Sequence, residues 1–190
     1  MGPEHVEAVS RLHAESLTGL LTLLGRPAVE AYYTGCVRTQ AAVAFVAVED
    51  GAVCGFVLGS PNPEQLRRRI VRHNRRATLA ALALGILKRP QTLVWLLRSV
   101  KGPDEGEYDI EAAELVYLAV DAARRGSGTG TDLVHAFTSA IRGAGVRHYE
   151  LSVDDDNEAA IGFYERLGFS LMGRYREFGT WHRRYQLEVP

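Results

Sequence analysis

Residues 114–142 read ELVYLAV, then DAARRGSGTGT, then DLVHAFTSAIR. An apolar, β-prone run ends in a loop with glycine at 126, 128 and 130. The loop opens a segment whose Leu133, Val134, Phe137 and Ile141 fall at helical spacing. Strand, glycine loop and helix in that order restrict the local fold sharply. Successive backbone N–H groups at a helix N-terminus form an anion site, and glycine lets a bulky group approach them. Arg124 and Arg125 add fixed positive charge. A plain turn explains one glycine with positive φ, but not three at alternate positions. A nucleoside-triphosphate loop ends in G-K-[ST], and no lysine stands here; the dinucleotide fingerprint needs glycine at 131, which is Thr131. A structural turn and a pyrophosphate cradle of another kind remain.

The rest of the chain alternates helices and strands. Val6, Val9, Leu12 and Leu17 predict a helix over about 3–17, and Pro27 starts a second that ends near Arg38. AAVAFVAVE and AVCGFVLG flank Asp50-Gly51, a hairpin signature. Residues 64–87 suit one long helix and Thr92–Val100 a shorter one, before the polar loop KGPDEGE. HYELSV predicts a strand, DDDNEAAIGFYERLG a capped helix, and FSLMGRYREF and WHRRYQLEV two closing strands around Gly179-Thr180. The expected architecture is α/β: a mixed, mostly antiparallel sheet with helices on both faces.

Composition excludes several classes. At 190 residues, 46% hydrophobic and 24% charged, with formal net charge -1, the chain fits one globular domain over 1–190 and carries no global field for nucleic acid. Its only cysteines are Cys36 and Cys54, with no C-x-x-C or zinc-like cluster, so no metal is expected and a reducing cytoplasm is. Lys88-Arg89-Pro90 interrupts the most apolar region, whose pieces are too short to span a bilayer. MGPEHVEAVS lacks the apolar core of a signal peptide. His135 and His148 have no spaced partners and read as structural.

Arg125-Gly126-Ser127-Gly128-Thr129-Gly130, with N-x-x-A-x-x-F-Y-E-x-x-G-F from Asn157 onward, resembles the GNAT superfamily of acetyl-CoA-dependent N-acetyltransferases. AELVYLAVD is similar to the family's fourth strand, and SVDDDN to the end of its fifth. The resemblance covers residues 1–60 by element order and 111–190 by motif. It implies a sheet splayed between those two strands, with the pantetheine arm of coenzyme A in the opening. Leu118, Ala119 and Val120 would contact that arm through the backbone. Arg125, Gly126, Ser127, Gly128, Thr129, Gly130 and Thr131 would hold the pyrophosphate. Asn157 would bond the cofactor or simply cap its helix. Tyr164 is the candidate general acid and Phe163 a core aromatic. Glu114 is the candidate base, on the premise that strand alternation sets Glu114, Val116, Leu118 and Val120 on one face; Glu111 and Asp109 are weaker alternatives.

Two departures from the family stand out. Thr129 replaces a usually apolar residue, and the family's first short strand has no counterpart before the first helix. A helical insertion of about 61–101 separates the third and fourth strands. It holds ten arginines and lysines against Glu64 alone, either a solvated face or a surface for an anionic acceptor or lipid headgroups. The implied activity is acetyl transfer to a primary amine of a small molecule, such as an amino sugar, in a monomer or homodimer. Acetylation of protein N-termini or lysines is the alternative in the same class. A non-catalytic module binding coenzyme A is the alternative from another.

Overall fold

A computed structural model describes residues 1–73, 75–88, 93, 112–177 and 179–189. A 3-10 turn, Pro3–His5, leads into α1 (Val6–Ser16). A one-turn helix, α2 (Leu20–Leu23), precedes α3 (Arg26–Thr39), whose Pro27 lies in the first turn. β1 (Val43–Glu49) and β2 (Ala52–Ser60) form the expected hairpin, with Asp50 and Gly51 both at positive φ (51° and 77°), as a tight twisted turn demands. The basic segment is helical over α4 (Pro63–His73) and α5 (Arg75–Lys88), with Asn74 between them outside the described residues. The expected helix over 92–100 and the loop after it lie outside the described residues, apart from a helical Leu93. β3 (Glu114–Val120), α6 (Thr129–Gly143), β4 (His148–Asp154), α7 (Glu158–Arg166), β5 (Ser170–Glu177) and β6 (Thr180–Glu188) complete the chain.

The six strands form one sheet in the order β1-β2-β3-β4-β6-β5. All neighbours are antiparallel except β3 and β4, which run parallel and pair only at Glu114 and Glu150. Beyond that point the two strands separate. Among the described residues no strand precedes α1, and the Met1 ammonium donates to the Ala44 carbonyl on β1 at 3.1 Å.

Each face carries a core. Val57, Leu115, Leu151, Val153 and Tyr185 pack under α6 and α7, with Phe137, Ile141 and Ile161. Phe56, Leu58 and Ala119 pack against α1, α3 and α4, with Val9, Tyr33, Leu66 and Ile70. α4 is therefore structural on one side: Leu66 and Ile70 are buried, while Arg67, Arg68, Arg69 and Arg72 face solvent. Ile70 seats against Gly35 of α3 so closely that a side chain there would collide with it.

The register of β3 corrects one expectation. Leu58 pairs with Tyr117 and Gly59 with Leu115, which leaves Val116 as an extra residue in a β-bulge. Leu118 and Val120 consequently join the core under α6 and α7, whereas Val116 joins the opposite core. Glu114 alternates with Leu115 and so lies on the α1–α3 face with Val116, not on the face of Leu118. Simple alternation fails because one inserted residue flips every side chain after it.

Candidate functional site

The glycine loop is built by short-range chemistry. Asp121 caps a 3-10 turn, Ala122–Arg124, by accepting from the Ala123 N–H at 2.8 Å. Gly126 (φ 80°) and Gly128 (φ 93°) adopt left-handed backbone that other residues enter at a cost, and nothing lies within 4 Å of where a Cβ would stand on either. The space over both glycines is open. Asp132 makes the first intrahelical bond, to the Gly128 carbonyl. The N–H groups of Thr129, Gly130 and Thr131 therefore open α6 without helix partners, at the positive end of a fifteen-residue dipole.

The two arginines divide their work. Arg124 turns to the β1–β2 hairpin, with its guanidinium 2.9 Å from Glu49 and 3.7 Å from Asp50. Arg125 turns into the cleft and donates from Nε to the Val120 carbonyl at 3.3 Å. Ser127 and Thr129 bond to each other at 2.8 Å, and Ser127 also donates to the Arg124 carbonyl at 2.7 Å. Neither side chain lines the cleft, so what they offer an anion is backbone. The methyl of Thr129 packs toward Gly55 on β2, which explains how a threonine serves where an apolar residue is usual.

The loop opens onto a cleft of about 630 Å³ between the splayed strands and α7. Leu118, Ala119, Val120, Arg125, Gly126, Gly128, Gly130, Thr131, Asn157 and Tyr164 all border it. Sequence reasoning missed Ser16, Leu17 and Arg166, which also border it, and took Phe163 for a core residue. Phe163 is half-buried, lines the cleft and supports Gly130, where a Cβ would stand 3.3 Å from its ring. The Asp121 N–H donates across to the Cys54 carbonyl at 2.8 Å, which fixes the alternation of β3. Asp121 and Ala119 point their backbone groups at β2, and Leu118 and Val120 point theirs into the opening.

Asn157 caps α7: its Oδ1 accepts from the Ala160 N–H at 3.1 Å, while its amide still borders the cleft. Tyr164 is 8% exposed, wedged edge-on between Phe163 and Phe169. Burial, reinforced by Tyr149, pushes its phenol well above the usual range, so it keeps its proton at neutral pH. Its hydroxyl has no hydrogen-bond partner among the described residues.

Glu114 does not join this group. It is absent from the cleft lining, and Arg184 Nη1 stands 2.5 Å from its Oε1. The same guanidinium holds Glu150 through Nε at 2.7 Å and Ser152 at 2.9 Å. Glu111 and Asp109 lie outside the described residues.

The donor set suits coenzyme A in three places. Open glycine backbone, three free N–H groups, Arg125 and Arg166 suit its phosphates. The free edge of β3 suits the amides of pantetheine. A neutral phenol at the inner end suits a leaving sulfur.

A mostly antiparallel sheet, split along its one parallel pair and with an anion loop at the mouth of the split, suits an acyl-coenzyme A donor. Residues 92–169 match the acetyltransferase (GNAT) family. It is 39% identical over 67 residues to a mycothiol acetyltransferase of Streptosporangium roseum, a match covering 35% of this chain and 20% of that protein. It is 40% identical over 76 residues to N-alpha-acetyltransferase 30 of Schizosaccharomyces pombe, covering 38% and 51%. The chain thus matches about a fifth of the first relative's length and about half of the second's. A crystal structure of an acetyltransferase superposes over 99% of this chain and 96% of its own, with TM-score 0.67 at 24% identity, a likeness of fold. No described helix is long and apolar enough to cross a membrane.

Proposed function

We propose that this protein moves an acetyl group from acetyl-CoA to a primary amine of a small molecule by direct attack. The observation carrying this reading is the split between β3 and β4, with the backbone of Leu118 and Val120 turned into it and the glycine loop at its mouth. When bound, the donor supplies an activated thioester. The protein's part is to hold it and to place charges and protons. Arg125 and the α6 N-terminus grip phosphate. A β3 N–H in the opening donates to the carbonyl oxygen as negative charge grows there, a fixed dipole needing no reorganisation. Tyr164 carries a proton to the departing sulfur.

A protein N-terminus is the second reading of the acceptor, favoured by the relative of which this chain covers half. The exposed arginines of α4 suit an anionic acceptor in either case. Neutralising Arg67, Arg68 and Arg72 together is expected to raise the acceptor KM and leave acetyl-CoA affinity unchanged.

Two measurements test the function. Acetyl-CoA at a hundred times its Kd stabilises the folded state by about 2.7 kcal/mol, a rise in melting temperature of roughly 5–10 °C for a chain this size. No shift at millimolar acetyl-CoA removes the donor. Thiol release across a panel of amino sugars, polyamines and short peptides then identifies the acceptor, and silence across the panel removes the transfer.

A further inference from the structure

Direct attack needs a neutral nitrogen, and a primary amine is largely protonated at neutral pH. Something must take that proton. Glu114 and Glu150 are both bound to Arg184. The opposite end of the same sheet face holds a different arrangement. Asp154, His182 and Tyr175 form one cross-strand row over β4, β6 and β5. Val153 and Tyr185 are buried under α6 and α7, so this row, by alternation, lies on the other face. His182 Nδ1 is 3.0 Å from Asp154 Oδ1, and its ring stacks on Tyr175 at 5.0 Å and 23°.

A carboxylate only accepts, so Nδ1 carries the hydrogen, and Nε2 of the neutral ring presents its lone pair. Nε2 has no partner among the described residues and the side chain is 18% exposed; the ring stands beside the cleft lining rather than in it, on the side from which an acceptor would approach.

The row lies at the level of the opening. β3 and β4 run parallel from the pair Glu114–Glu150; Asp154 stands four residues further along β4, and, allowing for the extra Val116, Ala119 stands at the matching step of β3, between Leu118 and Val120. Thr18 stands close enough to the Asp154 carboxylate to help lower its pKa, and the residues just before Thr18, Ser16 and Leu17, line the cleft. The dyad and the cleft share one loop.

We infer that His182 is the group that takes the proton from the acceptor amine, with Asp154 as its positioning residue and Tyr175 as the platform that fixes the ring. This rests on the acetyl-transfer reading. The balance is complete. The ammonium gives one proton to His182 Nε2. The freed nitrogen lone pair forms the C–N bond, the C–S bond breaks, and its electron pair leaves with sulfur. His182 passes that proton to water and then takes the second proton from the acylated nitrogen, which also goes to water, while Tyr164 regains from water the proton it gave to sulfur; the net product is one proton released. The charged and titratable groups facing His182 are Asp154 on β4 and Tyr175 on β5, with the Arg184–Glu150 pair in the rows beyond.

The test compares His182→Gln with the wild type on two acceptors: an alkylamine, protonated at pH 7, and an aryl hydrazine, already neutral there. The variant is expected to lose about a hundredfold in kcat/KM on the alkylamine and under about fivefold on the hydrazine. It should also lose the acid limb of the alkylamine pH profile while keeping the acetyl-CoA thermal shift. Asp154→Asn should move the same way by about tenfold, and it decides the matter if His182→Gln fails to fold. Wild-type-like turnover with the acid limb intact, or an equal loss on both acceptors, overturns the inference alone. Wild-type protein that binds acetyl-CoA but acetylates neither acceptor overturns the transfer reading itself.

Discussion

Arg184 stands 2.5 Å from Glu114, from one side of the opening to the other, and its Nε bond to Glu150 completes a bridge between β3 and β4. The guanidinium is 6% exposed and shielded from water, with both carboxylates well covered. Removing it leaves two like charges together. Arg184→Leu is expected to cost about 3–5 kcal/mol in urea unfolding, because a buried partner charge is left uncompensated. Glu114→Gln should cost about 1.5–3 kcal/mol and leave turnover within about tenfold of the wild type. A hundredfold loss of kcat with intact stability would restore Glu114 as the base.

The adjacent arginines of the loop should separate cleanly. Arg125→Ala is expected to weaken acetyl-CoA binding by about 10–100-fold, the worth of one charge-assisted contact to phosphate. Arg124→Ala removes only an exposed tie to the hairpin and should change Kd by less than about threefold, with under about 1 kcal/mol lost in stability. Calorimetric titration of both variants checks the contrast.

Two glycines predict opposite kinds of damage. Gly128→Ala meets no neighbour but forces a left-handed backbone on alanine, at about 1–2 kcal/mol, and fills space over the anion loop, so acetyl-CoA affinity falls. Gly59→Ala drives a methyl into the Glu114 carbonyl and the Phe137 ring beside the bulge. It is expected to cost more than about 4 kcal/mol and to yield little folded protein. Circular dichroism melts distinguish the two.

Tyr164→Phe keeps the ring that packs on Phe169 and removes only the hydroxyl. The expected result is a fall in kcat of about a hundredfold with unchanged acetyl-CoA affinity and melting temperature. Full turnover would take the phenol out of the reaction.

His13 on α1 is completely buried, bonded through Nδ1 to the Tyr33 hydroxyl at 2.7 Å, with Nε2 unpartnered among the described residues. Burial lowers its pKa from 6.5 to about 4. Between those values the unfolded chain takes up a proton that the folded chain refuses. The stabilisation is therefore present above pH 6.5 and is lost as pH falls toward 4, by about 3 kcal/mol at 1.36 kcal/mol per unit. His13→Leu should flatten the stability–pH curve in that window relative to the wild type.

Much of the fold was legible because it rests on local chemistry. Asp50-Gly51 dictated a hairpin, the glycine loop announced itself after β3, and Asn157 stood three residues before the N–H it caps. The site was legible where contiguous residues build it, as in residues 118–131. It was not legible where the sheet brings distant strands together. Nothing in the sequence near residue 116 marks a bulge, because an extra residue is defined by its partner strand. Arg184 neutralises Glu114 across seventy residues, and His182 meets Asp154 across twenty-eight, with no spacing rule to announce either.

The single pairing of β3 with β4 leaves mid-strand amides without a neighbouring strand. Leu118 and Val120 sit in the middle of a sheet, yet their N–H groups face an open seam. In deuterated water these two should exchange at the pace of a surface loop while Ala119, between them, stays protected. Acetyl-CoA should slow both without altering Ala119. An alternating fast–slow–fast signature of that kind belongs to a sheet that has been left one strand short.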